Sequence, residues 1–275
     1  MTYLMFVAGL LGLFLGGEFL VRGSVGIARR FRVPPLVIGL TIVGFGTSTP
    51  ELLVSVQAAL AGAPDLVIGN VMGSNIANIL LILGVTAVIL PVPIRLADTK
   101  RDFTVMIGAT LVLWVMFSGG IIRSWEGAVL VAILVIYLFA SLRSARPVPD
   151  AVTQEIAARH RLWPNIAFTL GGLVLLMTGA RLLVYSATEI ARTFGVSEAV
   201  IGLTIVAIGT SLPELATPAL AAYRGHSEIA VGNILGSSLF NLPCVLRIPA
   251  SVQPLPVPLR LAYLDIAWAS GSGLG

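Results

Sequence analysis

Residues 37–52 read VIGLTIVGFGTSTPEL, and residues 200–215 read VIGLTIVAIGTSLPEL. Each stretch starts as an apolar helix would, then sets a proline and a glutamate within it. Proline has no N–H and its ring crowds the preceding turn, so Pro50 leaves the carbonyl of Gly46 unpaired and Pro213 leaves that of Gly209 unpaired. Two interrupted helices are predicted. Shifted by 163 residues, segments 37–78 and 200–241 agree at 21 of 42 positions, including the second motifs IGNVMGSNIAN (68–78) and VGNILGSSLFN (231–241). Identity at that level marks an internal repeat. Weaker echoes pair Phe31 and Val33 with Phe194 and Val196, and LPVPIRLA (90–97) with LPVPLRLA (255–262).

The solvent around this repeat is lipid. Of 275 residues, 57% are apolar and 11% charged, and the mean hydropathy is +0.98, outside the range of soluble domains. Apolar runs long enough to cross a bilayer, roughly 20 residues each, fall near 3–22, 35–60, 66–90, 103–119, 125–142, 162–187, 199–222 and 228–246. The first run has no basic residue before it and no small-residue cleavage signal after it, so it is expected to be retained as a helix. One cysteine, Cys244, and two histidines exclude a disulfide framework and a Cys/His zinc site of ordinary spacing.

Arginines and lysines crowd the loops after the first, third, fifth and seventh runs: Arg22, Arg29, Arg30 and Arg32; Arg95, Lys100 and Arg101; Arg143, Arg146, Arg159 and Arg161; and Arg224. Alternation of this kind sets orientation rather than binding nucleic acid, placing those loops in the cytoplasm and the N-terminus outside. Five runs separate the start of one repeat from the start of the next. An odd number means the second copy enters from the opposite side, so the repeats are inverted. The expected organisation is a first repeat over 1–142 with its key segments at 37–78, a polar cytoplasmic linker over 143–161, and an incomplete second repeat over 162–275 with its key segments at 200–241. Inverted repeats with interrupted helices are the signature of secondary transporters.

The side chains around the interruptions share one chemistry. Thr47 and Ser48 precede Glu51 by four and three residues and so share its helical face; Thr210, Ser211 and Glu214 repeat the spacing. In the following helix Asn70, Ser74 and Asn78 form a polar stripe, matched by Asn233, Ser237 and Asn241. Oxygen donors of this kind suit hard cations such as calcium, which takes six to eight of them; softer metals ask for sulfur or imidazole. Two glutamates carry a charge of about −2, and leaving it bare in a closed low-dielectric site costs several kcal/mol per ion. Reorientation therefore favours carboxylates neutralised by calcium, sodium or protons, which is a physical basis for obligatory exchange. For Asn70 and Asn233, hydrogen bonding between helices is an equal alternative to ion contact. Glu18 and Arg22, one turn apart, are expected to pair with each other. Gly9, Gly12, Gly16 and Gly17 are expected at a close helix crossing rather than in a phosphate loop.

The paired GTSxPE segments, each followed by GNxxGS and a further asparagine, resemble the α-repeats of the sodium/calcium exchanger superfamily of cation/calcium antiporters. The resemblance implies an all-α membrane fold of ten helices in two inverted halves, about eight complete here, and residence in a membrane, the inner (plasma) membrane if the source is bacterial. It implies Glu51 and Glu214 as principal calcium ligands, with Thr47, Ser48, Thr210 and Ser211 lining sodium sites. Ser74, Asn78, Ser237 and Asn241 would complete the set, joined by backbone carbonyls near Gly44 and Ala207. Calcium and sodium are then transported substrates, with lipid as the surrounding partner and no organic cofactor. Two departures stand out. Many members place an acid at one of the positions held here by Asn78 and Asn241, which leaves sodium against proton coupling open. After Asn241 the chain reads LPCVLRIPASVQPLP, where Pro243, Arg247 and Pro249 are expected to disrupt a spanning helix, and the ninth run has only begun at Gly275. A truncated or sequence-altered, transport-inactive fragment is therefore one alternative, and an intramembrane enzyme using two glutamates as acid and base another.

Overall fold

The computed structural model describes residues 1–89, 96–117, 120–122, 124–144, 162–201, 204–205, 207–252 and 255–256. Among them, six helical stretches are long and apolar enough to cross a membrane: Thr2–Phe31, Pro35–Leu60, Pro64–Ile89, Trp125–Arg143, Leu162–Thr193 and Ser227–Ser251. Leu96–Phe117 and the broken run between Glu198 and Tyr223 complete the eight expected runs.

Helix α1 (Thr2–Phe31) is followed by an interrupted span made of α2 (Pro35–Ile38), a widened π-type turn at Gly39–Val43, α3 (Gly44–Thr47) and α4 (Thr49–Leu60). The next span joins α5 (Pro64–Ile76) to α6 (Leu83–Ile89) through a π turn at Ala77–Ile82. Helices α7 (Leu96–Phe117), α8 (Ser124–Ser144) and α9 (Leu162–Thr193) follow. The second interrupted span contains α10 (Glu198–Ile201), α11 (Ala207–Thr210) and α12 (Leu212–Tyr223). Then α13 (Ser227–Phe240) passes through a π turn at Asn241–Val245 into α14 (Leu246–Val252). A two-residue antiparallel pairing, Ile121–Ile122 with Leu255–Pro256, ties the α7–α8 connection to the chain beyond α14. The linker from 145 to 161 and the ninth run lie outside the described residues.

The disruption expected after Asn241 is not found. Residues Ser227 to Val252 run on as helix, because Pro243 falls in the π turn, where the backbone has already left the ladder of bonds four residues back. Pro249 is accommodated inside the short α14. Arg247 stands where the first repeat has Gly84, and its side chain lies along Gly127 of α8, where an added Cβ would sit 2.9 Å from the arginine Cδ. Its Nη1 donates to Ser251 Oγ at 3.4 Å. Both repeats widen their helix where the last asparagine of the motif stands, Asn78 or Asn241.

Helices α1 and α9 form the most extensive contact between elements, and glycine is the reason. A Cβ at Gly16 would lie 2.6 Å from Leu176 N, and one at Gly172 would lie 2.5 Å from Leu20 N. Backbone meets backbone there, the packing small residues permit in membranes. Gly9 and Gly12 make the same approach, while Gly17 faces Leu220 of α12. Glu18 does not pair with Arg22 as the sequence suggests: it takes the Nε of Arg224 at 2.8 Å, and Arg22 lies over the Phe168 ring at 5.2 Å. A tertiary partner has displaced the local one.

One apolar cluster gathers α5, α7, α8, α13 and α14 around Val71, Leu113, Leu130, Leu235 and Leu246; a second gathers α1, α9 and α12 around Leu20, Leu176 and Ala221. Inside the first, Tyr137 Oη donates to Asp102 Oδ1 at 2.7 Å, and Arg101 Nη2 donates to Ser141 Oγ at 2.7 Å. Asp102 is 1% exposed, so these bonds fasten α7 to α8 around a buried carboxylate.

Two stability outcomes follow. Gly172→Ala lowers the thermal unfolding temperature in detergent, at an overpacking cost of about 1–3 kcal/mol, while Gly171→Ala, with nothing within 4 Å of its Cβ, leaves it unchanged. Tyr137→Phe strips a donor from a buried carboxylate and costs about 1–3 kcal/mol, read in the same assay.

Candidate cation site

The two interruptions are built alike. Ser48 leaves helical geometry at φ −80°, ψ 0°, and Ser211 does so at φ −90°, ψ 7°. Each break puts the carbonyl end of one short helix, α3 or α11, beside the N–H end of the next, α4 or α12. Carbonyl ends attract cations, and the N–H ends carry the partial positive charge that favours an acid in the first turn. Glu51 and Glu214 occupy those first turns.

Both carboxylates are buried, Glu51 at 0% and Glu214 at 2% exposure. They come from opposite repeats, and their carboxyl groups are close enough to interact directly, with the Ser48 hydroxyl beside Glu214. None of their four oxygens accepts a hydrogen bond of good geometry. No arginine or lysine neutralises them by an ion pair among the described residues. Two like charges roughly 4 Å apart repel by about 4 kcal/mol even at an effective dielectric near 20, so the pair calls for a positive partner.

Several of the remaining residues expected here contact one another across the repeats. Thr47 Oγ1 lies 3.1 Å from Ser237 Oγ across the repeats, and both hydroxyls are directed at the Gly44 carbonyl, at 3.3 Å and 3.4 Å. Asn241 Nδ2 donates to Ser74 Oγ at 3.0 Å, which leaves Asn241 Oδ1 without a partner. Asn78 is buried with neither amide atom bonded. Ser48 and Ser211 are buried, the Ser48 hydroxyl unpartnered. Thr210 is half-buried at the end of α11. Ala207 opens α11, but its side-chain surroundings lie outside the described residues.

Asn70 and Asn233, left open between two roles, both bond between helices. Asn70 Nδ2 donates to the Glu51 carbonyl at 3.0 Å and to Ser55 Oγ at 2.9 Å. Asn233 Nδ2 donates to Thr47 Oγ1 at 3.0 Å. The difference has a local cause: Ser55 has no counterpart in the second repeat, where Pro218 stands. Sequence reasoning also missed Thr217, fully buried with an unbonded hydroxyl, three residues beyond Glu214 on the same face. Its repeat mate is Val54, so comparison of the repeats hides it; spacing from Glu214 would have found it.

Close helix contact holds these groups in place. A Cβ on Gly44 would fall 2.8 Å from the carbonyl carbon of Gly236, and one on Gly39 would fall 2.8 Å from the Ile229 carbonyl oxygen, so the span from α2 to α3 presses against α13. In their most apolar stretches, 89% of Ser227–Ser251 is buried against 33% of Pro64–Ile89, and Gly69 and Gly73, counterparts of Gly232 and Gly236, are exposed. Among the described residues no group of three or more His, Cys, Asp or Glu side chains forms a metal cluster; the candidate donors are two carboxylates together with amide, hydroxyl and carbonyl oxygens.

A family model described as sodium/calcium exchanger protein matches residues 1–143 and 164–270, continuing through the segment after Asn241 that departs from the first repeat. The inner membrane protein YrbG of Escherichia coli is 38% identical over 262 residues, covering 90% of this chain and 79% of that protein. The sodium/calcium exchanger MaX1 of Methanosarcina acetivorans is 30% identical over 295 residues, covering 93% and 84%. The solved structure of the sodium-calcium exchanger NCX_Mj, soaked with 10 mM Na+ and zero Ca2+, superposes with a TM-score of 0.86 at 30% identity, covering 100% of this chain and 90% of that one. With sequence and fold in agreement, this chain belongs to the sodium/calcium exchanger family of membrane antiporters.

Proposed function

We propose that the protein exchanges calcium for sodium across the membrane by alternating access, with Glu51 and Glu214 as the principal calcium ligands. The observation that carries this reading is the meeting of two buried carboxylates from opposite repeats whose four oxygens accept no hydrogen bond of good geometry. One calcium ion neutralises that charge of about −2 and takes six to eight oxygens. Asn78, Ser74, Ser237 and Asn241 Oδ1 complete its shell. Thr47, Ser48, Thr210 and Ser211, with carbonyls at the ends of α3 and α11, line the sodium positions. Thr217 adds a further hydroxyl. The chain acts as a carrier rather than an enzyme, organised as inverted repeats over 1–142 and 162–275, with its N-terminus outside a bacterial inner membrane and the basic loops inside.

Sodium as the driving ion is supported by the names and soaking ions of the solved and archaeal relatives. Proton coupling is the second reading, favoured by amides at both Asn78 and Asn241, which leave Glu51 and Glu214 as the only acids in the expected set. A carboxylate that must be neutral in order to reorient accepts a proton as readily in principle as a metal ion.

Flux into proteoliposomes decides between them. With pH clamped on both sides, an outward sodium gradient drives calcium uptake in the wild type, and Glu51→Gln or Glu214→Gln reduces it on the order of a hundredfold or more, the effect of removing one of two charged ligands. Uptake that follows a pH gradient and ignores sodium establishes proton coupling. Uptake undiminished in both glutamine variants contradicts the site itself.

A further inference from the structure

A cavity of about 490 Å³ lies away from the two glutamates, where the last turns of α1, the start of α9 and the connection between α12 and α13 meet. Glu18, Arg22, Arg29, Asn165, Arg224 and His226 supply its polar lining. Its charge is one-sided: three arginines against one glutamate, and that glutamate is already held by Arg224. Burial, with the Arg29 charge next in importance, holds the His226 imidazole below its usual value and therefore neutral at neutral pH.

Two of the residues lining the cavity carry donors without a described acceptor. Arg29 makes no ion pair or ring contact among the described residues. Asn165 is 9% exposed and its Nδ2 has no hydrogen-bond partner, although a buried amide donor left unbonded costs about 1–3 kcal/mol. The amide lies flat on Gly26, whose lack of a side chain gives it that position. Guanidinium groups and an amide N–H₂ converging on one space fit an anion with several acceptor oxygens, and phosphate matches the planar fork of arginine.

The level of the cavity in the fold points the same way. Around it stand exposed aromatic side chains, Trp163 at 79%, Tyr223 at 69% and Phe31 at 59%, the residues that collect at the membrane–water boundary. Arg29 and Arg30 close the last turn of α1. Basic pockets between helices at that depth meet lipid headgroups.

We propose that this cavity binds a phosphate group, held by Arg29 and by Asn165 Nδ2 with Arg22 and Arg224 at its rim. The phosphate comes either from the headgroup of an acidic phospholipid or from soluble phosphate. The site is independent of the cation site: Arg224 lies ten residues beyond Glu214, about 15 Å along a helix.

Native mass spectrometry of the full-length chain, titrated with phosphatidylglycerol in a neutral detergent, tests the proposal, with thermal stabilisation by inorganic phosphate as the second arm. The variants are Arg29→Gln, the near-isosteric Asn165→Asp, and Arg30→Gln, which removes the same charge from the same helix end but does not line the cavity. Phosphatidylglycerol adducts on wild type and Arg30→Gln, weakened about tenfold or more in Arg29→Gln and Asn165→Asp, establish the lipid source. Stabilisation by inorganic phosphate with the same variant pattern and no lipid adduct establishes the soluble source. Equal loss in Arg29→Gln and Arg30→Gln, unchanged binding in Arg29→Gln, or no binding of either probe to wild type overturns it. Arg29 is exposed, so its variant reports even if Asn165→Asp fails to fold.

Discussion

Two carboxylates from opposite repeats are brought side by side, out of water and without a hydrogen bond of good geometry to either. Most of the remaining structure is arranged so that this can be so. An uncompensated pair of buried charges costs several kcal/mol per ion, and among the described residues no arginine or lysine forms an ion pair with it. The residues proposed to complete the site bring more oxygen: the hydroxyls of Thr47, Ser74 and Ser237, the amides of Asn78 and Asn241, and the carbonyl of Gly44. On the function proposed above, a positive ion binds such a site, and the energy of its closed state depends on that ion. The proposed exchange rests on that dependence, since passage of the loaded site is favoured and passage of the bare one is not.

The backbone makes the site possible by breaking in two places. Pro50 and Pro213 each end a short helix at a serine, so that carbonyl ends and acid-bearing N–H ends of four half-helices share one depth. Glycine contacts between the α2–α3 span and α13, and between α1 and α9, let the helices come close enough to exclude water. The two repeats also differ in how their first asparagine bonds. Asn70 is held within its own repeat by Ser55, whereas Pro218 removes that option from Asn233, which reaches across to Thr47. Alternate exposure of one site to two sides requires halves that are alike in sequence and able to differ in packing.

Much of this was legible in the chain. The repeat, the inverted topology, the eight runs and the convergence of Glu51 with Glu214 all followed from periodicity, proline placement and hydropathy, because a bilayer leaves few ways to satisfy a backbone. Legibility failed where a distant partner decided the outcome. Glu18 had an arginine one turn away and took Arg224 instead. Pro243 and Pro249 signalled a broken helix, and a widened turn absorbed the first of them. Thr217 was hidden by its repeat mate Val54, and the buried Asp102–Tyr137 bond between α7 and α8 carries no local signature at all. Local spacing states which groups can meet; only the packed structure settles which of them do.

The central claim, that Glu51 and Glu214 together hold one divalent cation, is met most directly by crystals of the protein soaked in strontium, a heavier stand-in for calcium, with data collected near the strontium absorption edge. The account predicts one dominant anomalous peak between the two carboxylates, within direct coordination distance of both. A dominant peak elsewhere, or none where the two side chains meet, would contradict it.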